Sequence, residues 1–498
     1  MPVVDSAQAA ESSAKAEEYY FPRAWAQGRS AKRHKFRRAG RIAVLCTAVY
    51  SGFTVVDRTP SALADPTEVG SYFVATYPPF SAWSTAAVAT DGRPALDSPP
   101  VPGVPLGLYL HIPFCRKRCH FCYFRVYTDK NAQEVGDYLD VLAHEWELYA
   151  NRPAIAGRPL NFVYFGGGTP SFLSTKQLEG LVARLNEVTS WRNAEEVTFE
   201  CEPGTLSEAK LASIRGIGVT RLSLGVENFN DDILDVNGRA HRSPEIGRAY
   251  TYARSLAFPQ INIDLIAGML GESDENWRRC IDRTLEMQPD SVTIYQMELP
   301  YNTTISGNLL KGTGRFAQPV ADWPTKRRWV REAFEALERA GYTVRSAYTA
   351  VKNPDRTRFI YTDRLWQGAD MVGLGVASFG HVNGVHVQNL DTWEAYAEAI
   401  RRDEIPFSRA YRPTHEERLI REFILQLKLG SIRPGYFQQK YGVDVLRRFG
   451  EPLDSLEFDG YLAQRDDERV ALTREGLLRV DALLKRFFLP EHLGIRYT

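Results

Sequence analysis

The sequence predicts an α/β protein that forms a partial (β/α)6 barrel followed by a smaller C-terminal domain. Short apolar segments alternate with segments of helical periodicity between residues 107 and 299. Parallel strands joined by crossover helices produce this alternation, because each strand is buried while each helix keeps one exposed face. From about residue 405 the pattern changes to helical segments around one short strand-like run, "RVALT". This change indicates a helical or winged-helix-like domain.

Six apolar runs are the predicted strands of the barrel. Each is rich in β-branched and aromatic residues, and most are separated by amphipathic stretches such as 135–151 and 175–188. The predicted strands are 107–112, 160–166, 196–201, 220–226, 261–268 and 291–299. In barrels of this kind the functional residues lie at the carboxyl ends of the strands.

The chain divides into four predicted regions. Residues 1–66 are a disordered or wrongly started leader, and 67–106 hold an aromatic segment and a Pro- and Gly-rich linker. The barrel with an extension occupies 107–404, and the C-terminal domain occupies 405–498. The leader has the order of a secretory signal, but its apolar run starts late and is too interrupted for a membrane helix. We therefore expect a cytoplasmic protein without a membrane partner.

Charge and cysteine content narrow the classes of function. The chain has 61 basic and 61 acidic residues, so it gives no reason to expect a nucleic-acid partner. It has six cysteines in 498 residues, and three of them lie within eight residues. This crowding favours ligation or catalysis over disulfide bonds.

The crowded cysteines, Cys115, Cys119 and Cys122, follow the first predicted strand. Three thiolates there can bind three irons of a [4Fe–4S] cluster and leave the fourth iron for another ligand. They can also bind zinc, with His120 or His111 as the fourth ligand. Spacing alone does not decide between these two sites.

Several motifs occur together and in a particular order. They are "YLHIPFCRKRCHFC", "FGGGTPS", "FECEP", "RLSLGVENFNDDIL", "GRAH", "INIDLIAGM" and "GADMVGLGVASFG". In this order they resemble the radical S-adenosylmethionine (SAM) enzymes, and more narrowly the oxygen-independent coproporphyrinogen III oxidase-like branch. The resemblance implies a radical SAM barrel, a [4Fe–4S] cluster held by the three cysteines, and two SAM molecules. It also implies a small-molecule substrate and an electron donor such as flavodoxin or ferredoxin.

The resemblance also assigns residues to the two SAM sites. Glycines in a strand-to-helix loop let the backbone approach a ligand. A carboxylate buried in an apolar strand lowers stability unless it binds a partner. For the first SAM the matching residues are Tyr109, Gly167, Gly168, Thr169 and Glu200, with Phe379 placed only loosely. For the second SAM they are Phe121, Glu227, Arg239 and Asp264.

Two positions depart from the pattern of the oxidases. Glu227 stands where the branch commonly has glutamine, which adds a charge and removes a donor. Cys122 is followed by Tyr123 and Phe124, whereas the oxidases proper typically have a further cysteine two residues on. Related haem chaperones and the class C radical SAM methyltransferases lack that cysteine too.

From these departures we expect a class C enzyme that transfers a SAM-derived one-carbon unit to an sp² carbon. Its product would be a methylated or cyclopropanated natural product, and the segment "YFVATYPPFSAW" at 72–83 favours the same interpretation. The alternative is a coproporphyrinogen III oxidase-like decarboxylase. A third possibility is a haem chaperone, in which His381 and His386 would be candidate haem or porphyrin contacts.

Overall fold

The computed structural model of this chain describes residues 68, 70, 74–311 and 320–494. The predicted leader, 1–66, lies outside the described residues. Within the described part of the chain, no helix is both long and apolar enough to cross a membrane.

Six parallel strands form the barrel and confirm the predicted fold class. Each strand pairs with the next one along the chain, and the side chains of most positions are buried because helices cover the outer face. The strands are β1 (Leu106–Ile112), β2 (Leu160–Gly167), β3 (Glu196–Cys201), β4 (Arg221–Glu227), β5 (Gln260–Ala267) and β6 (Ser291–Gln296).

Helices connect these strands, and the two that were predicted from periodicity are both present. Each of these two starts at a capping box, Asn131 with Glu134 and Ser174 with Gln177, which satisfies backbone N–H groups at the helix start. The helices up to the end of the barrel are α1 (Arg93–Asp97), α2 (Ala132–Ala150), α3 (Thr175–Val188), α4 (Glu208–Gly216), α5 (Asp231–Val236), α6 (Ser243–Ser255), α7 (Asp274–Met287), α8 (Thr304–Lys311) and α9 (Trp323–Arg339).

The barrel sheet continues beyond both of its edge strands. On the β6 side it adds two antiparallel strands, and on the β1 side it adds one parallel and three antiparallel strands. The added strands are β7 (Thr343–Val344), β8 (Thr349–Val351), β9 (Asp370–Leu374), β10 (Phe379–Val382), β11 (Val385–Asn389) and β12 (Phe407–Tyr411), with α10 (Ile360–Leu365) and α11 (Trp393–Arg401) between them. β12 lies beyond residue 404, so the large sheet extends into the region predicted as the C-terminal domain.

The C-terminal region is helical, as predicted, around a three-stranded antiparallel sheet. Its elements are α12 (His415–Leu427), β13 (Ser431–Ile432), α13 (Pro434–Tyr441), α14 (Val445–Arg448), α15 (Gly450–Phe458), β14 (Leu462–Arg465), β15 (Val470–Leu472), α16 (Arg474–Leu478) and α17 (Val480–Leu483). It has its own core, in which Phe423 packs against Phe437, Phe449 and Phe487. Val74 and Tyr77 of the N-terminal aromatic segment belong to the same core.

Candidate active site

A cavity of about 590 Å³ lies at the carboxyl ends of the barrel strands. Its walls come from the loop after β1, from the ends of β2 to β6, from α9 and from the region of α16 and α17. Eleven of the twelve predicted cofactor residues line this cavity: Cys115, Cys119, Phe121, Cys122, Gly167, Gly168, Thr169, Glu200, Glu227, Arg239 and Asp264. The structure therefore brings together residues that are up to 149 positions apart in the chain (264 − 115).

The loop that carries the three cysteines is held by backbone hydrogen bonds. The N–H of Cys115 donates to the carbonyl of Tyr127 at 3.0 Å, and the N–H of Cys122 donates to the carbonyl of Cys119 at 3.2 Å. The N–H of His120 donates to the carbonyl of Asn237 at 3.0 Å, which ties the loop to the turn after α5. The three sulfurs are thus presented on one wall of the cavity.

Two side chains contact the cysteine sulfurs. The Thr169 hydroxyl lies 3.3 Å from Cys115 Sγ, and Arg239 Nη1 lies 3.4 Å from Cys119 Sγ. Burial raises the pKa of Cys115 to about 12 and the pKa of Cys122 to about 11. Both are therefore neutral thiols at pH 7 without a bound cation, and metal loading must release their protons.

The glycine-rich loop after β2 is hydrogen-bonded to the start of the cysteine loop. Gly168 N–H donates to the Ile112 carbonyl and Thr169 N–H donates to the Phe114 carbonyl, each at 2.9 Å. A Cβ on Gly168 would lie 2.9 Å from the Ile112 oxygen and 3.1 Å from Cys115 Sγ, so no larger residue fits. The amides of Gly168 and Thr169 thus anchor the glycine-rich loop to the end of β1 and the residues just after it.

Glu200 lies at the end of β3 and faces the cavity. Tyr164 Oη donates to Glu200 Oε1 at 2.5 Å, and the N–H of Gly167 also donates to this carboxylate. Burial nevertheless raises the pKa of Glu200 to about 7, with a further contribution from the nearby charge of Asp264. A bound cation would favour its ionised form.

Tyr109 is the twelfth of the predicted cofactor residues and does not line the cavity; neither does the loosely placed Phe379, which packs against Phe80 and Trp83. The Tyr109 hydroxyl lies 3.2 Å from His111 Nδ1, and its ring stacks on Tyr164 at a centroid distance of 5.9 Å. Tyr164 takes the cavity-facing place that the sequence analysis gave to Tyr109. The sequence signal for Tyr164 was available, since it sits two residues before the glycine loop at the end of an apolar strand.

Glu227 and Arg239 form a buried pair at the end of β4. Arg239 Nη2 donates to the Gly225 carbonyl at 2.6 Å and lies 3.6 Å from Glu227 Oε1. Glu227 has a φ of 63°, a left-handed conformation that is strained for a residue with a side chain. Burial raises the pKa of Glu227 to about 7, which the charge of Arg239 opposes.

Asp264 lies in β5 and accepts hydrogen bonds from Ser223 Oγ and Asn262 Nδ2, each at 2.8 Å. Burial raises its pKa, and the guanidinium of Arg221 opposes this effect. Arg221 was missed in the sequence analysis. Its guanidinium stacks 4.0 Å from the ring centroid of Phe359, and only 2% of the residue is exposed. An arginine inside the apolar run "TRLSLGV" was the signal that could have found it.

The histidines considered in the sequence analysis lie outside the cavity. His111 Nε2 is 3.3 Å from the Arg125 carbonyl, and His120 Nδ1 is 3.0 Å from the Val236 carbonyl. His386 stacks on Trp83 at 5.0 Å, and His381 packs against His386 at 4.8 Å. None of the four lines the cavity, so the proposed zinc and haem contacts of these side chains gain no support.

The donor set of the cavity fits a cluster and SAM. Three sulfurs share one wall, and the Nε atoms of Arg221 and Arg239 are buried without a hydrogen-bond partner among the described residues. Such buried donors at a cavity indicate a missing ligand. The described residues contain no group of three His, Cys, Asp or Glu that could surround a single metal ion. A cluster has a different requirement, because each cysteine binds a separate iron.

Comparison with known proteins agrees with this site. Residues 109–284 match the family model described as Radical SAM superfamily, a family that uses a [4Fe–4S] cluster and SAM. The chain is 29% identical to the "Heme chaperone HemW" of Bacillus subtilis over 374 residues, covering 74% of this chain and 96% of the relative. It is 24% identical to the "Oxygen-independent coproporphyrinogen III oxidase" of Synechocystis over 414 residues, covering 78% and 86%.

The fold is also that of a solved relative. The structure of coproporphyrinogen III oxidase from Escherichia coli superimposes with a TM-score of 0.72 and 24% identity. The match covers 83% of this chain and 96% of the other. It includes the barrel and the helical C-terminal region, so both parts of the predicted fold class are confirmed.

These relatives contradict the expected reaction. We expected one-carbon transfer to a natural product, and the aromatic segment 72–83 seemed to favour it. Haem chaperones and coproporphyrinogen oxidases match the chain over most of their length, and they support the alternative that was ranked second. The error arose because the absent cysteine after Cys122 is shared by the chaperones, so it does not distinguish a methyltransferase.

Proposed function

We propose that this chain, a radical SAM protein that resembles the HemN-like group, is a coproporphyrinogen III oxidase-like decarboxylase. The observation that carries the proposal is one cavity that contains the three cysteines and the SAM-site residues and whose walls hold more cationic than acidic side chains. The cations are Arg116, Lys117, Arg118, Arg221, Arg239, Arg327, Arg479 and Lys485, against six acids, Glu200, Glu202, Glu227, Asp264, Glu298 and Asp481. A porphyrinogen with several propionate groups is complementary to such a wall.

In this proposal Cys115, Cys119 and Cys122 hold the cluster, and Arg239 donates to a cysteine sulfur that becomes an anion. When bound, the cluster and SAM supply a carbon radical that removes a hydrogen atom from the substrate. Glu200 and Asp264 offer carboxylates to the amino group or ribose hydroxyls of SAM. The second SAM assigned by the resemblance would lie near Phe121, Glu227, Arg239 and Asp264.

The barrel residues also limit the access of water to the cavity and fix the positions of its ionisable groups. Ile266, Met297 and Phe121 belong to one apolar cluster beside the cysteine loop, which limits the access of water to that wall. Glu200, Glu227 and Asp264 lie in or at the ends of strands and Arg239 lies in the turn after α5, so the backbone holds these four groups at fixed places. Fixed charges need no rearrangement when the substrate changes its charge distribution.

An anaerobic assay tests the proposal. Protein reconstituted with iron and sulfide receives SAM, a reductant and coproporphyrinogen III, and the products are separated. Formation of 5′-deoxyadenosine together with carbon dioxide and a vinyl-bearing porphyrinogen is the expected result. SAM cleavage without any change in the porphyrinogen would overturn the oxidase function.

The haem chaperone is the second candidate. It is favoured by the absence of a cysteine at Phe124 and by relatives of that name at 29% identity. Stoichiometric haem binding, with transfer of the haem to an acceptor protein and no decarboxylation, would select this candidate. The electron donor and the cytoplasmic location stay predictions in either case.

A further inference from the structure

The cavity has an outer wall that comes from the C-terminal region and α9. We define the outer wall as Arg327, Leu478, Arg479, Asp481, Ala482 and Lys485, all of which line the cavity. None of the motifs that resemble radical SAM enzymes includes these residues. The wall faces the same space as the cysteines, so a substrate that reaches the cluster side must also meet it.

The outer wall is fixed relative to the barrel. Gln296, at the end of β6, donates through Nε2 to the carbonyl of Leu478 at 3.0 Å. Arg331 of α9 is ion-paired with Glu475 of α16, and Arg474 is ion-paired with Glu338. Arg479, which follows Leu478 directly, is therefore held at a defined place by contacts on both sides.

Positive charge is in excess at this wall. The carboxylate of Glu475 is shared between Arg331 and Arg479, and the Arg479 contact is the longer one at 3.5 Å. Asp481 does not compensate, because it pairs with Lys428 at 2.7 Å and accepts the N–H of Val74 at 2.8 Å. One carboxylate between two guanidinium groups leaves a net positive charge.

Arg479 also has unused hydrogen-bonding capacity. Its Nε is buried and has no hydrogen-bond partner among the described residues. Gln296 Oε1, on the same side of the cavity, is likewise buried without a described partner. A buried donor without a partner carries a free-energy cost. A ligand that accepts a hydrogen bond from Arg479 would remove that cost.

We infer that Arg479 binds a carboxylate of the substrate at the outer wall and so selects polycarboxylate substrates. The inference rests on the proposed function, since it names the substrate class of the same cavity. The planar guanidinium of Arg479 pairs with a carboxylate through two parallel hydrogen bonds, which lysine cannot reproduce. Arg479 is a specificity residue in this arrangement, and the chemistry occurs at the cysteine side.

Binding of coproporphyrin III, a stable fluorescent tetracarboxylate, tests the inference without catalysis. We expect the protein to bind coproporphyrin III at least tenfold more tightly than its tetramethyl ester, which has the same ring without the charges. Arg479→Gln should weaken binding of the acid by about tenfold, the loss typical of a charge-assisted hydrogen bond, and leave the ester unchanged. Arg479→Lys should recover only part of the loss.

Arg486→Gln is the matched control. Arg486 lies in the same segment, but it pairs with Asp459 at 2.7 Å and is not part of the cavity lining. Iron content and SAM binding of all three variants should equal those of the wild type, which shows that they fold. Equal binding of acid and ester, or wild-type affinity in Arg479→Gln, would overturn the inference.

A second probe separates this inference from the proposed function. Pyrene tetracarboxylate carries its anionic groups on an unrelated aromatic ring. If it binds in an Arg479-dependent manner while both porphyrins fail to bind, the carboxylate site stands and the tetrapyrrole substrate is wrong. If the binding of neither anion depends on Arg479, the carboxylate site is wrong, whatever the porphyrinogen assay gives.

Discussion

The two walls of the cavity differ in how their charges are arranged. On the barrel wall Arg239 pairs with Glu227 and Arg116 pairs with Glu202, and the two carboxylates of these pairs lie at or next to the ends of β4 and β3. Next to the outer wall Arg479, at the junction of α16 and α17, shares the carboxylate of Glu475 with Arg331 of α9. The first arrangement suits cofactors of fixed shape, and the second suits recognition of an anionic substrate.

The largest effect should come from removing a cysteine on the barrel wall. Cys119→Ala removes one of three cluster ligands, so we expect loss of bound cluster and of SAM cleavage by at least a hundredfold. Iron content, visible absorbance and 5′-deoxyadenosine formation measure this. Cys280→Ala is the control, since Cys280 is buried in α7 outside this cavity. Equal iron loss in both variants would mean that the barrel wall is not the cluster site.

A smaller effect is expected for the charge partner of that cysteine. Arg239→Gln removes the contact with Cys119 and leaves Glu227 buried without its cation, so SAM affinity should fall by about tenfold or more. Equilibrium binding of SAM to the reconstituted protein measures this affinity. Arg242→Gln should change SAM affinity little, because Arg242 is exposed and pairs with Asp235. A normal SAM affinity for Arg239→Gln would contradict the assignment.

Glu227 gives the barrel wall a pH dependence. Its pKa is about 7, so it is neutral at pH 6 and ionised at pH 8. SAM carries a sulfonium cation, and we therefore expect SAM affinity to rise by about threefold to tenfold over this range. Glu227→Gln should give a shallower profile, because Glu200, whose pKa burial also raises to about 7, still titrates over this range. A profile that is unchanged in the variant would show that another group titrates.

The raised pKa of Glu227 also predicts how the free energy of unfolding changes with pH. The folded pKa of Glu227 is raised above its ordinary value of 4.5, so the unfolded chain loses this proton first as pH rises. Glu227 thus lowers the free energy of unfolding between pH 4.5 and about 7, and its contribution is constant above that range. Urea titrations should show that the free energy of unfolding decreases less over that pH range in Glu227→Gln than in the wild type. An equal decrease would argue against the raised pKa.

The smallest effect concerns the attachment of the outer wall. Glu338→Gln breaks a partly exposed ion pair with Arg474, which should lower the free energy of unfolding by about 0.2–1 kcal/mol. Glu398→Gln, which breaks an exposed pair inside α11, is the control. A further test is coproporphyrin binding, which should stay within twofold of the wild type. A loss above about 2 kcal/mol would mean that the outer wall depends on this one pair.

The barrel wall could be predicted from the sequence and the outer wall could not. Strands such as β3 and β5 were predicted within one residue at each end, because buried parallel strands read as continuous apolar runs. Arg479 comes from a separate helical segment, and its separation of 183 residues from the end of β6 hides the contact (479 − 296). Tyr109 was assigned to the SAM site from the resemblance, and Tyr164, its register partner on β2, is the tyrosine that lines the cavity.

The backbone hydrogen bonds of the cysteine loop bear on how the protein matures in the cell. The bonds at Cys115, His120, Gly168 and Thr169 join protein groups only, so they do not depend on iron. We therefore expect the loop to keep its backbone contacts when the cluster is lost. Loss of the cluster through oxygen damage would then leave a folded protein that can bind iron and sulfide again.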